Sequence, residues 1–212
     1  KNKKYYGSYS GIVTTATKPT QVKNVKVTAQ SDTTISLSWD KVTRASGYKV
    51  YIYNNSTKKY EEKATSTKNT VKVTTLAQAK TYKIKVRAYK TVNKKNYYGA
   101  YSEVITTFTK PSKVADLKTK TSSIDYITLT WTKLARVQGY QIYKYNSSTK
   151  KYEKIGEVTA NEFKVTSLNP ATGYDFKVRA FMIFDDKRYY GSYSAVIDTA
   201  TLPNKITDLK VS

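Results

Sequence analysis

The chain has no cysteine and no histidine. The first absence excludes disulfides and thiolate metal sites. The second removes the usual general base and the commonest zinc ligand. Acidic residues are scarce, 15 against 38 basic ones, which leaves a net charge of +23. Only five of the basic residues are Arg: Arg44, Arg87, Arg136, Arg179 and Arg188. Lys is a hydrated point charge and Arg the better bidentate reader of phosphate. The excess therefore makes a diffuse positive field, suited to self-repulsion and solubility or to attraction of an anionic polymer. No initiator Met, signal peptide or membrane-length apolar run is present in these residues. There is no Gly-x-Ser-x-Gly elbow and no phosphate-cradling loop. These absences predict a chain that is not an enzyme and uses no cofactor and no metal.

What is abundant is Tyr, with 21 copies, and the Tyr belong to an internal repeat. Trp39 recurs as Trp131, Tyr48 as Tyr140 and Tyr82 as Tyr174, all at an offset of 92. Pro19 recurs as Pro111 and again as Pro203. A period this long exceeds that of solenoid repeats, roughly 20–50 residues, and fits a whole small domain. The frame gives one copy over 19–110 and a second over 111–202. Tyr5-Tyr6-Gly7-Ser8-Tyr9-Ser10 matches Tyr97–Ser102, so residues 1–18 read as the closing strand of a preceding copy. Residues 203–212 read as the first strand of a following one, with Val211 in the place of Val27.

Within each copy the apolar residues alternate with period two. Ile35, Leu37 and Trp39 share one face and serines the other; Ile127, Leu129 and Trp131 repeat this. Tyr48–Tyr53 and Tyr82–Tyr89 read as longer strands, and Val104–Thr109 closes the copy. Seven strands at roughly 10-residue spacing, without helical periodicity, predict an all-β chain of tandem seven-stranded antiparallel sandwiches.

These residues carry a resemblance. Each copy resembles a fibronectin type III domain of the immunoglobulin-like class. The marks are Trp39 and Trp131 ending the second strand, and Gly47-Tyr48 and Gly139-Tyr140 opening the third. The Leu-x5-Tyr tyrosine corner is present as Leu76 to Tyr82 and Leu168 to Tyr174, and Gly-x-Tyr-Ser-x-Val closes each copy at Gly99–Val104 and Gly191–Val196. The resemblance implies that both Trp are core pieces and that both corner Tyr return their hydroxyls to backbone. The first copy has Gln78 where the second has Pro170, which should loosen its corner. The Lys- and Tyr-rich style is similar to tandem modules of secreted or wall-attached bacterial proteins. That similarity implies an extracellular spacer or display array whose partners are the neighbouring domains of the same polypeptide. No Arg-Gly-Asp is present, so an integrin-binding loop is not implied.

Alternation also yields a candidate site. With Tyr82, Ile84, Val86 and Ala88 inward, Lys85 and Arg87 point outward, as do Tyr51 and Tyr53 on the third strand. The matching residues are Lys177, Arg179, Tyr143 and Tyr145. In this family the third and sixth strands are neighbours, so the outer face interleaves rings and cations. Two readings stand. One is cross-strand stabilisation. The other is a platform for polysaccharide or anionic cell-wall polymer, repeated in each copy. Specific nucleic-acid binding is not expected, since the Lys are spread over every strand and no recognition helix is offered. Asp185-Asp186 cannot supply the six to eight oxygens of a calcium site and reads as a solvated loop. The sequons at Asn54, Asn55 and Asn146 read as hairpin-turn residues. The linkers around Pro19 and Pro111 are short, which favours restricted bending between copies.

Overall fold

The computed structural model describes residues 3–13, 15 and 17–205, and every regular element among them is a β-strand. The first repeat contains β1 (Lys26–Gln30), β2 (Ile35–Ser38), β3 (Gly47–Asn54), β4 (Lys59–Ser66), β5 (Thr70–Val73), β6 (Thr81–Val92), β7 (Lys95–Tyr98) and β8 (Ile105–Phe108). The second contains β9 (Lys118–Ser122), β10 (Ile127–Thr130), β11 (Gly139–Asn146), β12 (Lys151–Val158), β13 (Glu162–Val165), β14 (Gly173–Phe184), β15 (Lys187–Tyr190) and β16 (Ile197–Ala200). The chain forms two compact units. Among the described residues, one holds those up to Lys26, Ser38–Val71 and Lys83–Ile105; the other holds Val27–Leu37, Lys72–Tyr82 and those from Thr106 to Lys205.

The strand order is β1-β2-β5 and β4-β3-β6-β7 in the first repeat, with β8 also on β6. The second repeat has β9-β10-β13 and β12-β11-β14-β15, with β16 on β14. Alternation explains the core of the second repeat. Ile127, Leu129 and Trp131 come from one sheet, and Tyr140, Ile142, Phe176, Val178 and Ala180 from the other, all buried together. Ile35, Leu37, Trp39, Tyr48, Val50, Ile84, Val86 and Ala88 are buried at the matching positions of the first.

Each repeat thus has seven strand positions, the last broken in two. β15 pairs with Phe181–Phe184 of β14, and β16 with Gly173–Phe176. The intervening segment still follows β14: Gly191 N–H donates to Ala180 O at 2.9 Å, and Ser194 N–H to Val178 O at 2.7 Å. Ser194 Oγ accepts from Val178 N–H at 3.0 Å, so a hydroxyl takes the place of a backbone carbonyl. Ser102 does the same for Val86 N–H at 3.0 Å. A buried N–H left unpaired would be costly, which gives this serine of the closing motif its physical role.

The loop at Asp185-Asp186 is a two-residue hairpin turn, with φ of 50° and 56°. Asn93 and Lys94 form its counterpart at 48° and 63°. Two consecutive positive φ values match a type I′ turn, which twists with its strands and which Asn and Asp tolerate. Of the end pieces, residues 3–13 form no strand, and Tyr5, Tyr6, Tyr9, Ile12 and Val13 are exposed. The first-strand reading of 203–212, with Val211, lies mostly outside the described residues.

Candidate functional site

The outward residues of β3, β4 and β6 converge on one stack. In the first repeat Lys85 Nζ lies 4.1 Å from the Tyr60 ring centroid and 3.7 Å from that of Tyr101. Arg87 Cζ follows, 4.8 Å from Tyr101, 3.9 Å from Tyr98 and 4.9 Å from Tyr51. Lys49 continues the series at 5.8 Å from Tyr98 and pairs with Glu62 at 2.7 Å. Rings and cations therefore alternate across the face. Each contact contributes about 0.5–1 kcal/mol where solvent reaches it, and more where it does not.

The second repeat builds the same stack. Lys177 Nζ sits 4.0 Å from Tyr152 and 4.2 Å from Tyr193, and Arg179 Cζ 3.9 Å from Tyr190 and 5.0 Å from Tyr193. Gln141 stands where the first repeat has Lys49. Its Oε1 accepts from Arg179 at 2.9 and 3.1 Å and from the Tyr143 hydroxyl at 3.0 Å. Tyr53 and Tyr145 lie at the outer end, their rings 5.2 Å from Tyr60 and Tyr152 respectively.

All eight sequence-derived residues thus lie on these two faces, Tyr51, Tyr53, Lys85 and Arg87 on one and Tyr143, Tyr145, Lys177 and Arg179 on the other. The arrangement differs from an open platform. The rings of Tyr60, Tyr98, Tyr101, Tyr152, Tyr190 and Tyr193 already lie against Lys85, Arg87, Lys177 or Arg179. Tyr51 is only 7% exposed, and the Arg87 guanidinium donates to its hydroxyl at 2.7 Å. Burial pushes the Tyr51 hydroxyl pKa up, against the lowering effect of Arg87. Hydrogen bonding from Lys49 holds the Glu62 carboxyl below its ordinary range.

Alternation alone missed Tyr98, Tyr101, Tyr190 and Tyr193. They lie in or beside the broken strand, where period two does not run. The available signal was the Tyr-Gly-x-Tyr-Ser spacing. Gly99 is needed there because an added Cβ would lie 2.5 Å from Pro19 O. No group of three or more potential metal-ligating side chains occurs among the described residues.

A model of the family described as "Fibronectin type III domain" matches residues 18–108 and 110–194. The chain belongs to the fibronectin type III family. Receptor-type tyrosine-protein phosphatase eta of Gallus gallus is 30% identical over 168 residues, covering 77% of this chain and 12% of that protein. The chain therefore spans about an eighth of that relative's length. A two-domain fibronectin type III segment of chicken tenascin superposes with a TM-score of 0.56 at 17% identity, over 85% of this chain and 99% of that one. That likeness supports the fold alone. The fibronectin type III family is one of non-catalytic modules that are generally extracellular.

In each fibronectin domain two Tyr hydroxyls serve the backbone. At the corners Tyr82 accepts from Ala77 N–H at 2.8 Å and Tyr174 from Asn169 N–H at 2.8 Å. Leu76 and Leu168 are buried beneath them. Tyr48 and Tyr140, which open the third strands, do the same for Val42 N–H at 2.8 Å and Leu134 N–H at 2.7 Å. Trp39 and Trp131 are each 3% exposed, with a Tyr ring edge-on at 5.2 Å. The Gly before Tyr48 and Tyr140 lies under an aromatic ring. An added Cβ would meet the Tyr89 hydroxyl at 2.6 Å or the Phe181 ring at 2.8 Å.

Proposed function

We propose that this chain is a non-catalytic spacer and display array within a larger modular protein, secreted or attached to a bacterial cell surface. In this reading residues 19–110 and 111–202 are complete repeats, while 1–18 and 203–212 belong to neighbouring ones. Its partners are the adjoining domains of the same polypeptide. The observation that carries the reading is how each repeat holds its exit. Thr109 Oγ1 donates to Ala77 O at 2.6 Å, and Lys110 N–H to Ser31 O at 2.9 Å, immediately before Pro111. Thr201 Oγ1 and Leu202 N–H make the matching bonds to Asn169 O at 2.6 Å and Ser123 O at 2.9 Å, immediately before Pro203. Beyond Pro111, Ser112 N–H donates to the Gln78 side chain at 3.2 Å and Ser112 Oγ bonds Asp32 at 3.0 Å. Gln78 thus acts as a linker contact at the place where the second repeat has Pro170. A linker bonded on both sides of a proline transmits orientation, which is what a spacer needs. Backbone relaxation by NMR tests this. Order parameters of about 0.85 at 109–112, equal to those of β6, are expected. Values below about 0.6 would remove the spacer reading.

A second reading, binding of polysaccharide or anionic wall polymer by the Tyr and Lys faces, is favoured by one feature. Tyr145, at the open end of its stack, keeps 37% of its surface exposed. Its residues are Tyr51, Tyr53, Lys85, Arg87, Tyr143, Tyr145, Lys177 and Arg179. Retention on an insoluble glycan in about 0.5 M salt, where screening acts within about 4 Å, would support it. Loss of retention with salt would leave a charged spacer.

A further inference from the structure

The repeats differ in charge at a cleft at one end of the second repeat's larger sheet. It has a volume of about 720 Å³ and is lined among others by Tyr145, Tyr174, Glu153, Asp175, Asp198 and Gly173. That size lies within the range of small-molecule sites. The positions matching Asp175, Asp198 and Gly173 in the first repeat are Lys83, Thr106 and Thr81. A basic residue and a neutral one have thus become two carboxylates, in a chain of net charge +23.

Cross-strand pairing does not favour the change. Asp175 and Asp198 are direct cross-strand partners on β14 and β16. Like charges placed opposite each other destabilise a sheet. Among the described residues neither carboxylate forms an ion pair. Lys144, the cation of the cleft, lies 5.4 Å from the Tyr174 ring. At Gly173 an added Cβ would find only Asp198 Oδ1, at 3.9 Å, so the missing side chain leaves the cleft open. The cleft therefore combines room, an exposed ring at Tyr145, and carboxylates with unused acceptor capacity.

We propose that this cleft binds a neutral saccharide, with a sugar ring against Tyr145 and vicinal hydroxyls donating to Asp175 and Asp198. The chemistry selects that class. Carboxylates accept hydrogen bonds from paired hydroxyls, and an aromatic ring covers the apolar face of a sugar. An anionic polymer is repelled by the acid pair. A free cation is repelled at long range by the whole chain, whereas a neutral polyol is not. The acids do not converge with a third ligand as a metal centre requires. The proposal deepens the second reading above, but places the sugar at the open end of the second repeat's stack, beyond the rings that Lys177 and Arg179 already occupy.

The test uses the intact chain labelled with ¹⁵N in about 0.5 M salt, titrated to about 10 mM with soluble hexasaccharides of glucose, xylose, mannose and N-acetylglucosamine. Saturable shifts confined to amides near 144–147, 153, 173–175 and 198, with at least one probe, are expected. Asp175→Lys with Asp198→Thr, and separately Gly173→Thr, should each weaken that binding at least about tenfold. These substitutions install residues that the first repeat already carries at the same places, so folding is retained, and unchanged far-UV dichroism checks it. Silence with all four probes, or equal binding by the variants, overturns the proposal. Shifts centred on Lys177, Arg179 and Tyr193 instead would overturn it while supporting the stacks as the binding face.

Discussion

At the scale of single residues, the most consequential groups are hydroxyls that finish backbone hydrogen bonding. Tyr140 is fully buried and its hydroxyl holds Leu134 N–H; Tyr174 is half-buried and holds Asn169 N–H in an exposed loop. Removing either oxygen strands a donor, but water replaces it more readily at the second, where the donor residue is exposed. Tyr140→Phe is therefore expected to destabilise by about 2–3 kcal/mol and Tyr174→Phe by about 1 kcal/mol, within the range for a lost buried partner. Urea unfolding of both variants checks the order. A reversed ranking would show that the corner, rather than the third-strand tyrosine, is the anchor. The turn at Asn93-Lys94 offers the opposite sign. Lys94 holds φ at 63°, a region costly for a residue with a Cβ. Lys94→Gly restores the preferred Asn-Gly pair and should raise stability by about 0.5–1 kcal/mol, read as a higher urea midpoint.

At the scale of elements, the two repeats solve one packing problem differently. Gly156 on β12 lies beneath Phe163 on β13, and an added Cβ would come within 2.3 Å of the ring. The first repeat has Ala64 and Val71 at these positions. Gly156→Ala alone should cost about 1–3 kcal/mol through overpacking. Adding Phe163→Val should recover part of it, giving a coupling of at least about 0.5 kcal/mol in a double-mutant cycle. Simple additivity would mean the ring has room to move. The stacks make a second element-level prediction. Arg87→Lys keeps the charge but loses the planar fork that bonds Tyr51 and lies against Tyr98 and Tyr101. A loss of about 1 kcal/mol in chemical denaturation is expected. The sequence made the strands legible because Ile35-Ser36-Leu37-Ser38-Trp39 alternates so cleanly and recurs at Ile127. It placed Lys85, Arg87, Tyr51 and Tyr53 on one face by the same alternation. The partners Tyr98 and Tyr101 were not legible as such, because their segment leaves the strand period between β7 and β8. Nor was the β6–β7 hairpin, whose Asn93-Lys94 turn lacks the glycine that usually announces it.

At the scale of the whole molecule, charge sets how stability responds to solution conditions. Hydrogen bonding from Lys49 depresses the Glu62 carboxyl, and bonds from Gln141 and Arg188 depress Glu157. A carboxyl depressed on folding stabilises above its unfolded pKa, and that stability is lost as pH falls through the folded value. The same protonation raises the net charge from +23 towards the 38 basic side chains, so self-repulsion acts in the same direction. On the alkaline side, burial raises the pKa of Tyr51, Tyr82, Tyr152 and Tyr193. A tyrosine raised on folding stabilises below its unfolded value of about 10, and that stability is lost as pH rises through the folded one. Deprotonation of Lys in that range lowers the net positive charge and relieves repulsion. The melting temperature should therefore fall below about pH 4.5 and above about pH 10, for different reasons. Salt separates them. About 0.5 M sodium chloride should recover part of the acid loss by screening repulsion, and little of the alkaline loss, which arises from ionising buried and half-buried tyrosine hydroxyls. Equal recovery at both ends would mean that net charge alone governs stability and that the buried tyrosine hydroxyls contribute nothing to the pH profile.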